Sequence, residues 1–209
     1  MRVFIVNILI VLVILAGGGA AAYYYNQSAN YVTSDNARVD GQPITISAIA
    51  AGKLVDWNGE VGKSYNSGDL VGGVQSAGSR ANITFPVSGT IVQQSAVPNS
   101  FVTPGTPLAR AFDLNHLWIT ANIDETVINQ IKVGQAVDVY IDAFPNTTLT
   151  GTVDKIGLAT AGTFSMLPSS NTNANYTKVT QVIPITIVIE GYKGLGLVPG
   201  MNATVRVHI

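Results

Sequence analysis

A glycine-punctuated unit occurs twice in this chain, and that repetition limits the fold more than any other feature. The first copy opens on Gly52-Lys53-Leu54-Val55 and closes on Gly68-Asp69-Leu70-Val71; the second opens on Gly89-Thr90-Ile91-Val92 and closes on Gly105-Thr106-Pro107-Leu108. The two glycines are sixteen residues apart in both copies, and the copies are offset by thirty-seven residues. Each copy has a small residue ahead of its first glycine (Ala51, Ser88) and a valine near its middle, Val61 in one and Val97, a step out of register, in the other. A unit of this size cannot bury an apolar face alone, and two copies are too few for a solenoid, so they are expected to pair with each other. Short strands broken by Gly, Asn, Pro and Ser turns then give a two-layer β-sandwich with a pseudo-twofold axis.

The repeats resemble the two halves of a biotinyl/lipoyl-like domain as it occurs in membrane fusion proteins, the periplasmic adaptors of bacterial efflux and secretion systems. Upstream, the segment from Tyr31-Val32-Thr33-Ser34-Asp35-Asn36 through Ala37-Arg38-Val39-Asp40-Gly41 is similar to the entry segment of the HlyD/EmrA branch. Downstream, Pro104-Gly105-Thr106-Pro107-Leu108-Ala109, the run from Leu117-Trp118-Ile119 to Ile123-Asp124-Glu125, and Pro199-Gly200-Met201 resemble its later motifs, in the family's order. The resemblance extends over nearly all of the chain after the first thirty residues.

Within a lipoyl-like domain at 45–112, the half-motifs fall at 45–73 and 83–112 with a short linker at 74–82. The joint from Gly72 to Asn82 is eleven residues, rich in Gly and Ser and without a heptad pattern. The resemblance implies a long helical hairpin at this place in most adaptors. Eleven residues at about 1.5 Å each cannot build one, so the chain reads as a short form lacking the hairpin. Biotin and lipoate carriers, which share the fold, hold their cofactor on a lysine at the exposed turn between halves. Here the joint offers only Arg80, while Lys53 and Lys63 lie inside the first copy. No cofactor is therefore expected, and a carrier would have to show a mass increment on a lysine.

The amino-terminal part, 1–26, reads as a membrane anchor. Residues 3–22 carry no charge and one polar side chain, Asn7, and at about 1.5 Å per residue they reach across a hydrocarbon core of roughly 30 Å. Arg2 precedes the span, and Asp35 and Arg38 are the first charges after it, which places the amino terminus in the cytoplasm and the bulk outside. Tyr23, Tyr24 and Tyr25 suit an interfacial aromatic belt. The alternative is a cleaved signal peptide, with Ala20-Ala21-Ala22 as the small-residue site; the single arginine and the long apolar core favour the uncleaved anchor. Residues 27–44 form a polar, extended lead-in strand.

From 113 to 209 the pattern changes to a small antiparallel β-barrel. Trp118–Ile123, Val137–Asp142, Leu149–Ile156 in part, Ile183–Ile189 and Thr204–Ile209 alternate as strands, and Asp124 is placed to cap one short helix with Val127, Ile128 and Ile131 on one face. The loop 159–176 is long and polar, yet holds Phe164, Met166 and Leu167. Long loops in compact domains are commonly functional, and this one resembles the family's Thr-Phe-Ser-x-Leu-Pro segment. Those three residues are the candidate partner contacts.

Chemistry is sparse. No nucleophile elbow, P-loop or His-Glu-x-x-His pattern occurs, there is no cysteine, and neither His116 nor His208 has a partner at ligand spacing. Asp138 and Asp142 share a strand face but stand about 13 Å apart, too far to share a proton or a metal. A formal net charge of −1 without a basic run argues against nucleic acid. A mean hydropathy of +0.32 is high for a soluble protein. The expected protein is not an enzyme. The resemblance implies an anchored adaptor subunit of an efflux or secretion system, docking on an inner-membrane transporter, of the major facilitator type in the EmrA-like branch, and self-associating into a ring or collar. The alternative is an anchored extracytoplasmic binding or sensing module outside any pump.

Overall fold

The computed structural model describes residues 7, 12–19, 30–164 and 180–209, and the chain divides into two compact units. Arg38–Ile119 with Tyr192–Met201 makes a sandwich unit; Met1–Ala37, Thr120–Gly191 and Asn202–Ile209 make a barrel unit.

In the sandwich the first copy supplies β2 (Gly52–Val55), β3 (Ser64–Tyr65) and β4 (Leu70–Ser76). The second supplies β6 (Gly89–Gln94), β7 (Phe101–Val102) and the start of β8 (Pro107–Asp124). Each copy's first strand pairs with its own third strand and with the other copy's second, giving β4-β2-β7 in one sheet and β8-β6-β3 in the other. The registers repeat as well. Gly52 faces Val102 as Gly89 faces Tyr65, and Lys53 faces Phe101 as Thr90 faces Ser64. So do the loop hydrogen bonds: Leu54 N donates to Ser100 O as Ile91 N donates to Lys63 O, and Gly105 N donates to Ala48 O as Gly68 N donates to Phe85 O. A pseudo-twofold axis therefore relates the copies bond by bond.

The core obeys the same axis. Ile46 and Ile83, Leu54 and Ile91, Val71 and Leu108, and Val74 and Ala111 are equivalent pairs, and all eight are buried in one cluster. Val61 and Val97, which sharpen the repeat in the sequence, are exposed and belong to its turns.

The joint between the copies is a β-hairpin. β4 turns at Ala77-Gly78 into β5 (Ser79–Thr84), with Ser76 opposite Ser79, at the edge of the four-stranded sheet β5-β4-β2-β7. Most of the short linker, 74–82, is thus paired strand, and Arg80 lies over Gly73. A Cβ on Gly73 would sit 2.8 Å from Arg80 Nε, and the guanidinium reaches Asp56 at 2.7 Å.

In the barrel, β9 (Ala136–Ile141), β10 (Thr148–Ile156), β11 (Val182–Glu190) and β12 (Asn202–His208) fall where alternation placed strands. The order is β1-β12-β9-β10-β11-β8, and a β1–β8 pairing is also present, so six strands replace the five counted from residue 113 onward. The sixth is the first part of β1 (Tyr31–Ser47), taken from the polar lead-in. A five-stranded set would leave open edges, and closure removes them. Residue 113 lies inside β8, a single strand of 18 residues.

Two further differences concern helices. The short helix after β8 is a single 3-10 turn, Ile128–Gln130, with Val127 at its N-cap and no side-chain cap bond, so Asp124 does not cap it. The Asp124 carbonyl instead accepts from Val127 N at 3.1 Å. At the amino terminus, residues 12–19 are helical with Leu12, Val13, Ile14 and Leu15 exposed. No described helix is long and apolar enough to cross a membrane; most of the span expected at 3–22 lies outside the described residues.

Two substitutions in the sandwich compare positive-φ backbone strain with and without a packing clash, Gly52 at φ +157 having both. A Cβ on Gly52 would meet Gln75 O at 2.3 Å, whereas Gly68, at φ +90, has open space where its Cβ would be. Gly52→Ala is expected to cost about 3 kcal/mol and Gly68→Ala about 1 kcal/mol, both read from urea unfolding midpoints.

Candidate functional site

The sequence candidates scatter in the structure. Phe164 closes a 3-10 turn, Ala161–Phe164, at the start of the long loop; its side chain, together with Met166 and Leu167, lies outside the described residues. Leu158, just before that turn, is fully exposed at 104% of its reference area. Glu125 takes part in backbone pairing, its N donating to Gln181 O at 2.9 Å.

His116 is exposed and pairs through Nδ1 with Asp113 Oδ2 at 2.6 Å. Burial alone would raise the Asp113 pKa, but hydrogen bonds from His116 and from the Asn115 backbone outweigh it and hold the carboxyl below its usual range. This contact joins neighbours three residues apart on one strand.

A three-residue polar cluster lies in the barrel. β9 and β12 are antiparallel neighbours with Asp138 directly opposite Arg206, which places Asp138 diagonally from His208. One carboxylate oxygen, Asp138 Oδ2, accepts from Arg206 Nη2 at 3.0 Å, from Arg206 Nε at 3.3 Å and from His208 Nε2 at 3.0 Å. Burial pushes the Asp138 pKa up, but the hydrogen bonds from His208 and Arg206 and their charges leave it lowered. A carboxylate held by a guanidinium is a poor general base, so the cluster joins strands rather than moving protons to a substrate. Among the described residues, no group of three His, Asp or Glu side chains stands close enough to hold a metal.

Sequence reasoning missed this cluster. Asp138, Arg206 and His208 share the right strand parity, but nothing in the sequence says that β9 and β12 are neighbours across sixty-eight residues.

Comparison with known proteins follows the two units. Residues 43–113 match the family described as YhbJ, barrel-sandwich hybrid domain, and residues 117–207 match the YknX-like beta-barrel domain. The chain is 45% identical over 181 residues, 87% of its length, to the putative efflux system component YhbJ of Bacillus subtilis, of which it covers 81%. It is 35% identical over 130 residues, 62% of its length, to the colistin resistance protein EmrA of Acinetobacter baumannii, of which it covers 37%. The crystal structure of MacA from Actinobacillus actinomycetemcomitans shares the fold, with a TM-score of 0.68 at 14% identity over 86% of this chain and 78% of that one.

Asp138→Asn is expected to destabilise the chain by about 1 kcal/mol at neutral pH, since the pair is only partly buried. Because the carboxyl pKa is lowered on folding, its contribution is present above the ordinary carboxylate value near 4 and disappears as pH falls below it. The deficit of the variant against the wild type should therefore shrink between about pH 5 and pH 3, as read by urea unfolding across that range.

Proposed function

We propose, since the chain belongs to the HlyD/EmrA-type family of membrane fusion proteins in a short form without the helical hairpin, that it is the adaptor subunit of an efflux or secretion system. Efflux components and membrane fusion adaptors are its relatives, a non-enzymatic class. In this reading a helix at 3–22 anchors the chain in the membrane, with the amino terminus in the cytoplasm and both β-units outside. The adaptor docks on a transporter of the inner or cytoplasmic membrane, of the major facilitator type, and copies pack side by side into a ring or collar that forms part of the export conduit. The observation that carries the reading is the identity with an efflux component along four-fifths of that protein's length.

The role is geometric. Energy for transport comes from the partner, and the adaptor supplies a rigid β-scaffold at its exit. The hairpin at Ala77-Gly78 is too short to be an arm, so any reach to a second membrane is left to another protein. Contacts between subunits or with the transporter need exposed apolar side chains. Leu158 and the neighbouring Phe164, Met166 and Leu167 are assigned to them.

The test is purification of the tagged full chain in mild detergent. Retention in the membrane fraction, together with a many-spanning transporter encoded beside it, is the expected result; a monomer that washes off membranes and brings no transporter would sink the assignment. For the loop, Leu158→Ser should leave the unfolding midpoint unchanged within about 0.5 kcal/mol. Both it and deletion of 164–167 should lower transporter recovery several-fold. Full recovery with both would move the contact elsewhere.

A further inference from the structure

We propose that the outer edge of β5 pairs with the same edge of a second copy of this chain, antiparallel and about a twofold axis at Asn82. β5 ends the sheet β5-β4-β2-β7 and has one strand neighbour. The two-residue turn makes Ser76 and Ser79 a hydrogen-bonded pair, and such pairs alternate along an antiparallel ladder. Ala81 therefore bonds to β4, while Arg80 and Asn82 turn their N–H and C=O outward. Further along, Phe85 N donates to Asp69 O and Phe85 O accepts from Gly68 N, which fixes Phe85 inward and Thr84 outward. Arg80, Asn82 and Thr84 each present one donor and one acceptor at the edge, and among the described residues nothing bonds them.

The pseudo-equivalent edge is closed. Carried back by thirty-seven residues, Arg80 lands on Pro43, Asn82 on Thr45 and Thr84 on Ser47, in the part of β1 that leads to the Ala48–Thr106 bond with the start of β8. A proline at that place has no N–H to offer a neighbour, a common protection of an exposed edge. β5 carries no proline, and its one charged side chain is drawn off the edge. Arg80 Nε lies over Gly73 of β4, and Nη1 reaches Asp56, just past the end of β2, at 2.7 Å. An edge left bare in this way is a template for another strand. A second β5 fits it in one register. With Asn82 opposite Asn82 of the second copy, Arg80 meets the second copy's Thr84 and Thr84 its Arg80, so every outward donor and acceptor is used. On the core side Ala81 then faces Ile83 of the second copy, small against large, and the two guanidinium groups stay apart. An axis at Arg80 would set like charges opposite, and one at Ala81 would leave Thr84 unpaired. Copies packed head to tail in a collar use two different surfaces, whereas this contact is isologous and holds with or without a collar.

The test uses the full chain in mild detergent, with no transporter present. The chain has no cysteine, so Asn82→Cys introduces a single thiol, and its counterpart across the axis has its Cα about 5.5 Å away, within disulfide reach. Brief oxidation with copper phenanthroline should convert this variant to a covalent dimer. Ala77→Cys, on the exposed turn and roughly 30 Å from its own counterpart in this register, should stay monomeric. Adding Arg80→Pro to Asn82→Cys copies what Pro43 does at the closed edge and should lower the dimer yield about ten-fold. Adding Arg80→Ala instead keeps the N–H and should leave most of the dimer. Undiminished dimer with Arg80→Pro, equal yields at 77 and 82, or no dimer at 82 overturns the pairing; the last is also what an edge reserved for a strand of another protein would give. Should the proline variant not fold, the comparison of positions 77 and 82 decides alone. Failure in any of these forms leaves the adaptor reading as it stands, since that reading is judged by transporter recovery.

Discussion

The sandwich depends on a reciprocal exchange between its two copies. β3 and β7 are two residues each, too short to hold a sheet on their own, and each pairs with the first strand of the other copy. Neither copy could close its layer without that loan, because an isolated pair of strands is marginal in water. The exchange brings Leu54 and Ile91 into one core with six other equivalent residues. Each fully buried aliphatic side chain contributes about 1.5–3 kcal/mol, which explains why the spacing between glycines is the same in both copies: a one-residue slip would turn the apolar set of a short strand outward.

The copies have nevertheless diverged where shape allowed it. Tyr65 and Phe85 stack in one half, with ring centroids 5.2 Å apart, while the equivalent positions in the other half carry Val102 and Ala48. The tyrosine also has work that a valine could not do. Its hydroxyl donates to Asn58 O at 2.7 Å and accepts from Glu60 N at 3.1 Å, fixing the loop between β2 and β3. The second copy holds its corresponding loop by other means, with Ser100 Oγ donating to Val97 O at 2.7 Å.

Much of this was legible in the sequence, for reasons that differ by region. The sandwich was readable because Gly52, Gly68, Gly89 and Gly105 mark strand boundaries in both copies, so spacing carried the topology. The barrel strands were readable because Val137, Val139 and Ile141 alternate with half-buried partners. The sixth barrel strand was not, since its buried Val32 and Ala37 are separated by four polar residues. The short helix after β8 was legible from the apolar spacing of Val127, Ile128 and Ile131, a spacing that one turn of 3-10 helix leaves as well as one of α-helix. The Asp138 cluster could not be read at all, as it rests on which strands are neighbours rather than on any local pattern. For the proposed loop contacts the sequence gives only a composition, an apolar triplet in a polar stretch, and Leu158 adds an exposed apolar side chain before it.

The axis also equates two places that look unrelated. Carried back by thirty-seven residues, Ala77-Gly78 lands on Asp40-Gly41; carried forward, it lands on Leu114-Asn115. At one end of the duplicated fold the chain folds back on itself within two residues. At the equivalent end, β1 and β8 run on and enter the other unit. The sandwich thus has two doorways of matching construction, one open and one shut. A segment of any length spliced into the shut doorway would leave every pairing between the copies in place, so reach can be gained or lost in evolution without rebuilding the core that carries it.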